Sequence, residues 1–385
     1  MATESRKTIF VVVSTLMTVK AFLLNHIATL SQHYDVVVIA NDHNTEALKL
    51  LGVDVDVIYA PIERSMSPWK DFLALLAMMK LLRRYNVDLI QSISPKAGLI
   101  AMLAGFLMRT PFRVHFFTGQ VWTTKKGIAK WLLKNIDRVI ASCSTSALVD
   151  SHSQKAFLVK ECVLSNAKST VLASGSVSGV NAAKFKFNAD SRRHIRQQFG
   201  ISDSETAFLF LGRFKRDKGL LDLAESFDQL THHHNDVHLI LVGPDEDQLK
   251  VQIIALCEQS SNRLHFVDYT DKPYDYMSAA DIFCLPSYRE GFGSVIIEAA
   301  AIGIPSIGSR IYGISDAIVD GVTGLLHTAG DVDDIVDKMQ SLIENKALRE
   351  TFGHAANQRA LDNFSEQKLT NALLDYYQIQ IGFIK

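Results

Sequence analysis

The amino-acid sequence predicts an α/β protein made of two open units, each a parallel sheet clothed by helices on both faces. Three observations carry that expectation. Short apolar runs rich in β-branched residues alternate with longer helical patterns, and the runs are apolar throughout, as in strands buried on both faces. The pattern halts in a polar segment over 181–198 and then restarts. At 385 residues the chain also exceeds the ~250–300 at which single cores stop growing.

Taken in order, the first half offers strands at 8–14 (TIFVVVS), 35–40, 55–60, 87–93, 112–118, 138–143 (RVIASC) and 169–174. Helical stretches at 21–32, 45–51, 68–85, 97–108 and 129–134 separate most of them. The polar segment contains NADSRRHIRQQ (188–198), and the expected hinge lies near 180–200. Beyond it come strands at 206–212, 237–243, 264–268, 281–287 and 305–309. Short-period repeats and low-complexity tracts are absent. Ligands of such sheets bind at the carboxyl ends of the strands. Two facing sheets would put the site in a cleft between the units.

Bulk properties exclude several classes. Hydrophobic residues make up 48% and charged residues 21%, an ordinary globular balance, and the net charge of -1 gives no sign of a nucleic-acid partner. The four cysteines, Cys143, Cys162, Cys257 and Cys284, lie far apart, so a reduced, cytosolic protein is expected. The opening MATESRKTIFVVVSTLM has no small-residue cleavage site and reads as no signal peptide. The longest apolar run, 97–108, falls short of the ~20 residues that span a bilayer.

Two segments carry chemistry. In LGRFKRDKGL (211–220) a strand ends at Gly212, a basic run follows, and Lys218-Gly219 opens a helix. Arg213, a planar fork, and Lys218, a mobile point charge, suit a diphosphate; the same run also reads as a solvated strand–helix loop. It is neither GxGxxG nor GxxxxGK[ST]. In YREGFGSVIIEAAAIGIP (288–305), Gly291 and Gly293 permit close backbone approach to a ligand, and a helix follows that stops at Gly303 and Pro305. A helix start suits phosphate or sugar hydroxyls. Glu290 precedes that start and Glu298 lies inside the helix. They read as an acid/base pair, as hydroxyl acceptors, or as a dipole complement and a solvated residue; the apolar setting VIIEAAA weighs against the last for Glu298.

GRFKRDKG followed by E-x7-E in EGFGSVIIE, with DAIVDGVTGLL (316–326) downstream, resembles the retaining GT-B glycosyltransferases of family 4 over nearly the whole chain. The resemblance implies two Rossmann-like domains, 1–185 for the acceptor and 186–366 for the nucleotide sugar, with a helical tail 367–385 packing back on the first. It implies that Arg213 and Lys218 hold the donor diphosphate, that Glu290 contacts the donor sugar and that Glu298 contacts the ribose hydroxyls. Backbone amides of Gly291, Phe292, Gly293 and Ser294, with Gly212, complete the donor side, and the two acids become hydroxyl acceptors on one ligand. SPKAGLIAMLAGFL (94–107), FRVHFFTGQVW (112–122) and LASGSVSGVNAAKF (172–185) are similar to bacterial enzymes that build O-antigen, capsule and glycan repeat units on undecaprenyl diphosphate, some of which transfer N-acetylhexosamine from UDP. The expected partners are therefore a UDP-sugar and a lipid-linked saccharide, with no cofactor, at the cytoplasmic face of the inner membrane.

The sequence departs from the family pattern in the first half. STLMTVKAF (14–22) lacks the glycine pair common after the first strand, leaving Lys20 as a candidate contact to phosphate or acceptor. Thr118-Gly119 stands where His-Gly is frequent, and Gln91 or Ser92 where members often carry His. THHHND (231–236) reads as a solvated loop and Asp54-Val55-Asp56 as an ordinary strand start, so no metal is expected. The basic amphipathic segments 67–86 and 123–138 fit either core-packed helices or an anionic interface. The rival readings are a GT-B-fold epimerase or phosphorylase, and a non-catalytic sugar-nucleotide-binding partner of an assembly complex.

Overall fold

The computed structural model describes residues 6–63 and 67–382. The first five residues of the opening stretch and residues 383–385 of the tail lie outside the described residues. The chain divides into two compact units, one of residues 1–178 with 366–385 and one of residues 179–365.

The first unit carries a seven-stranded sheet of β1 (Thr8–Val12), β2 (Asp35–Ala40), β3 (Asp56–Tyr59), β4 (Leu89–Ile93), β5 (Phe112–Phe117), β6 (Ser146–Val149) and β7 (Ser169–Val171). All neighbours are parallel, in the order β3-β2-β1-β4-β5-β6-β7. The alternation of strand side chains builds a core on each face. Ile9 and Val11 join one cluster, while Phe10 and Val12 join the other with the helices Pro68–Arg84, Pro95–Leu107 and Gly127–Cys143.

The tail helix Glu366–Gly382 closes the first cluster with Leu369, Leu373, Tyr377 and Ile381, a four-residue spacing that keeps one stripe inward. Polar bonds fix its register. His26 bonds Thr370 Oγ1 at 2.9 Å and the Val177 carbonyl at 2.7 Å. The Tyr376 hydroxyl donates to Ser146 at 2.8 Å, and that of Tyr377 donates to Gln91 Oε1.

The second unit holds a six-stranded parallel sheet of β8 (Thr206–Leu211), β9 (Val237–Val242), β10 (Leu264–Val267), β11 (Ile282–Leu285), β12 (Ser306–Ser309) and β13 (Gly324–His327). Its order is β10-β9-β8-β11-β12-β13, so the winding direction reverses between β8 and β11. The first sheet reverses likewise between β1 and β4. Both units are thus doubly wound, Rossmann-like sheets, with crevices expected at the carboxyl ends of those strand pairs.

Two expectations need correction. The run RVIASC (138–143) is the last turn and a half of the helix Gly127–Cys143 rather than a strand, and the strand in that region is β6. Val139 and Ile140 are β-branched, but Asp137, Ile140 and Ala141 face inward at helical spacing while Val139 is exposed. The 45–51 stretch is a turn ending in the 3-10 segment Lys49–Leu51. No helix among the described residues is long and apolar enough to cross a membrane.

Candidate active site

At the β8/β11 reversal two loops lie side by side, and hydrogen bonds stitch them together. The loop after β8 turns through the 3-10 segment Arg216–Lys218 and enters the helix Leu220–Thr231 at Gly219, whose φ is +70°. A Cβ there would lie 2.0 Å from the Pro286 carbonyl oxygen, so only glycine lets this turn rest on the segment after β11. Beyond Pro286, the Tyr288 amide donates to the Asp217 carbonyl at 2.9 Å. Arg289 donates to Asp217 Oδ2 at 2.7 Å, and the Tyr288 hydroxyl donates to Asp222 at 2.6 Å.

These bonds leave marks on the titrating groups. Burial, aided by the Asp222 hydrogen bond and charge, pushes the Tyr288 hydroxyl up to about 12. Burial disfavours the Asp217 carboxylate, yet Arg289, with Lys218 and Lys215 nearby, holds it below the usual carboxylate range.

The clasp delivers Lys218 to Glu290. Their ion pair is mostly shielded from solvent, and Ser287 Oγ donates to the same Glu290 oxygen at 3.0 Å. Arg213, just past Gly212 at the end of β8, takes another partner. Its guanidinium lies 3.3 Å from both oxygens of Glu246, which Lys215 also contacts at 2.8 Å. The Lys215 hydrogen bond, and then the Arg213 charge, hold Glu246 below its ordinary value. Arg213 is half-exposed, so this pairing contributes little.

Gly291, Phe292 and Gly293 lead into the helix Ser294–Ile302. Phe292 is buried against Phe364, 5.2 Å between ring centres, which pins the turn. Gly293 has φ +77° at the helix start, and a Cβ on Gly313 would come within 2.3 Å of the Gly291 carbonyl. First-turn amides and the helix dipole therefore face the same edge as Lys218 and Glu290. Glu298 is half-buried on this helix, with no hydrogen bond among the described residues. Burial pushes its carboxyl up to about 7, against the pull of the Lys184 charge.

The second unit thus joins Lys218 to Glu290 and sets Gly212, Arg213 and the 291–294 turn at the carboxyl ends of β8 and β11, while Glu298 lies further along the helix Ser294–Ile302. The partners Glu246, Asp217 and Arg289 did not stand out in the sequence. The acidic run PDED (244–247) was the available signal, but its relevance depends on β9 lying beside β8.

In the first unit, Lys20 projects from a five-residue π-helical turn, Val19–Leu23, inserted between Leu16–Thr18 and Leu24–His33, and it is exposed. Such turns recur at functional sites. Thr118 follows β5; its carbonyl accepts from Gln120 at 2.5 Å and Gln154 at 2.8 Å, and Gly119 is next to it. Ser14 and Ser94 hydroxyls meet at 3.1 Å across the ends of β1 and β4, with Ser94 at φ +75°. Gln91 and Ser92 are both committed inward, Gln91 to Tyr377 and Ser92 to His115 at 2.8 Å. Burial drives His115 down to about 3, so it is a neutral packing residue.

No group of three or more His, Cys, Asp or Glu among the described residues is arranged to hold a metal ion. In THHHND, His232 points toward Asp228 and His234 toward Glu344, each at 3.9 Å, in separate directions.

Comparison with known proteins then decides the class. Residues 21–175 match the family "Glycosyl transferase 4-like domain", and residues 191–359 match "Glycosyl transferases group 1". The chain belongs to these glycosyltransferases. The transferase is 28% identical to the capsular polysaccharide biosynthesis glycosyltransferase CapM of Staphylococcus aureus, over 82% of this chain and 83% of that protein. It is 24% identical to an Escherichia coli UDP-Gal:alpha-D-GlcNAc-diphosphoundecaprenol alpha-1,3-galactosyltransferase, over 82% and 81%. It is also 24% identical to a Campylobacter jejuni N,N'-diacetylbacillosaminyl-diphospho-undecaprenol alpha-1,3-N-acetylgalactosaminyltransferase, over 89% and 90%.

Among solved structures, the transferase superposes on Anabaena HepE in complex with UDP and glucose with a TM-score of 0.80, at 18% identity over 97% of this chain and 100% of that one. A sucrose-phosphate synthase of Thermosynechococcus elongatus gives a TM-score of 0.79, at 20% identity over 98% and 100%. The transferase therefore has the GT-B fold.

Proposed function

We propose that the transferase moves a hexosyl or N-acetylhexosaminyl unit from a UDP-sugar to a saccharide hydroxyl carried on a lipid diphosphate, in the building of a bacterial surface polysaccharide or glycan. The work is done at the cytoplasmic face of the inner membrane, with retention of anomeric configuration and no metal. The observation that carries the reading is the joining of Lys218 to Glu290 across the β8/β11 reversal, beside Arg213 and a helix start. Names of two relatives support the acceptor class, since each acts on a saccharide linked to undecaprenol through diphosphate. Binding of UDP by a structural neighbour supports the donor class.

In this reading Arg213 leaves Glu246 and Lys218 turns from Glu290 to grip the donor diphosphate. Glu290, relieved of its cation, accepts hydroxyls of the donor sugar, and Glu298 accepts those of the ribose. Amides of Gly291 to Ser294 face sugar and phosphate. The bond from the anomeric carbon to the diphosphate oxygen breaks, and its electron pair stays on that oxygen. Arg213 and Lys218, already in place, neutralise the charge that develops there. The acceptor hydroxyl attacks from the face the diphosphate leaves, and its proton passes to the departing oxygen. Lys20 and Thr118, with Gly119, are proposed for the acceptor side or the N-terminal cleft, Lys20 as a contact to phosphate or acceptor; Lys20→Ala with both Michaelis constants unchanged would remove Lys20 from it.

The test is a panel of UDP- and GDP-sugars against lipid-diphosphate mono- and disaccharides, read by mass spectrometry and anomeric NMR. One UDP-sugar should add the mass of a single hexosyl or N-acetylhexosaminyl residue in the donor's configuration, in EDTA as well as without it. Inversion, a GDP-sugar requirement, or EDTA inactivation reversed by manganese would each overturn the corresponding part. UDP binding with no transfer to any acceptor would favour the non-catalytic reading.

A further inference from the structure

The helix Gly127–Cys143 has two apolar stripes where one suffices for packing. Leu133, Ile136, Ile140 and Ala141 face the core of the first unit. Ile128, Trp131 and Leu132, at i, i+3 and i+4, face away, with 84%, 66% and 46% of their surface exposed. Around them Lys125, Lys126 and Lys130 are exposed and form no salt bridge among the described residues. Lys134 is different: it pairs with Glu161 at 2.6 Å and lies over the buried Trp122 ring. From Val121 to Ile136 the chain has no acidic residue, and Asp137, the next, is buried and bound to Trp122 at 2.7 Å.

Position adds to composition. The helix follows β5, so its first turns lie at the carboxyl edge of the sheet, the edge where ligands of doubly wound sheets bind. The helix Pro68–Arg84 lies on the same sheet face and also begins at that edge. It opens with Trp69 and Phe72, stacked 6.0 Å apart and both exposed. Uncapped lysines around a tryptophan and two aliphatic side chains match an anionic lipid surface: phosphate groups for the ammoniums, the acyl boundary for the rings.

We propose that Lys125, Lys126, Ile128, Lys130, Trp131 and Leu132 form a docking surface for an anionic bilayer, which sets the carboxyl edge of the first sheet against the membrane. The inference rests on the lipid-linked acceptor proposed above, because a bilayer-held acceptor is what makes such docking useful. A protein partner would need no preference for anionic lipid.

Flotation with phosphatidylglycerol vesicles and with phosphatidylcholine vesicles, at low and high salt, tests the surface. Wild type should float with the first, weakly with the second, and lose binding in salt. K125Q/K126Q/K130Q should weaken phosphatidylglycerol binding on the order of 100-fold. I128A/W131A should remove the part of the vesicle-induced blue shift of tryptophan emission that Trp131 contributes in wild type. Both variants should keep the wild-type melting temperature, since these side chains are exposed, and the wild-type rate on a short-chain, water-soluble lipid diphosphate saccharide. They should lose rate only on the acceptor embedded in vesicles. Absence of wild-type binding to phosphatidylglycerol, or equal binding by both variants, overturns the surface. Intact lipid binding with no transfer to any acceptor overturns the proposed reaction and leaves the surface standing.

Discussion

Gly219 rests its backbone against the carbonyl of Pro286, where a Cβ would stand 2.0 Å from the oxygen. That contact lets the turn carrying Lys218 lie close enough to reach Glu290. Gly219→Ala meets a backbone atom that cannot step aside, at a φ of +70° that L-residues disfavour. It should lower stability by roughly 1–3 kcal/mol. Donor affinity should fall further than stability does, because the clasp opens. Thermal melts and UDP titration on one sample check both; wild-type affinity would show that Lys218 placement does not depend on this turn.

Arg213 is half-exposed and makes only long contacts to Glu246, so the fold has little invested in it. Arg213→Ala should leave the melting temperature nearly unchanged and cut turnover by roughly 10²–10³, the scale of losing one preorganised charge at a leaving group. Arg213→Lys should recover part, since the charge returns without the fork. Steady-state kinetics on folded samples decides; wild-type turnover by Arg213→Ala removes its proposed role.

Glu298 should make both stability and donor binding depend on pH. Its carboxyl is pushed up to about 7 in the folded chain, from an ordinary 4.5. Between those values the folded state keeps a proton that the unfolded state has lost, so stability of the unliganded protein falls as pH rises through that window. Glu298→Gln should therefore be more stable than wild type at pH 8, by roughly 1–3 kcal/mol, and equal to it near pH 4.

A carboxylate that accepts ribose hydroxyls favours the deprotonated form. UDP binding at pH 6.5 should accordingly release protons, seen by calorimetry in two buffers of different ionisation enthalpy. No buffer dependence in wild type, or the same dependence in Glu298→Gln, would detach this residue from the ligand.

Tyr377 is fully buried and spends its hydroxyl on Gln91. Tyr377→Ala removes the ring and leaves Gln91 unpaired, and should cost roughly 3–5 kcal/mol. Tyr377→Phe should cost less, since only the hydrogen bond goes. Urea unfolding followed by tryptophan emission gives both numbers; equal losses would mean that the hydroxyl outweighs the packing.

Much of this was legible from residues alone, for identifiable reasons. Runs such as TIFVVVS and VHLILVG became β1 and β9 because strands buried on both faces admit almost no polar residue. β6 (SALV) and β13 (GLLH) were not anticipated, although β3, β10, β11 and β12, of four residues as well, were. RVIASC misled because β-branched residues at a helix end imitate a strand until the inward face is known. At the site, Gly291, Gly293 and the two glutamates were marked by spacing along one stretch. Glu246 was not, because its partnership with Arg213 is created by sheet order, which brings β9 beside β8.

The closing helix has a consequence for how the chain is made. The first unit needs Leu369, Leu373 and Tyr377 to cover one face of its sheet, and these emerge from the ribosome only after the whole second unit has been translated. The unit that begins synthesis first is therefore the one completed last. During elongation its uncovered face is a natural client for chaperones, while residues 179–365 can already have folded.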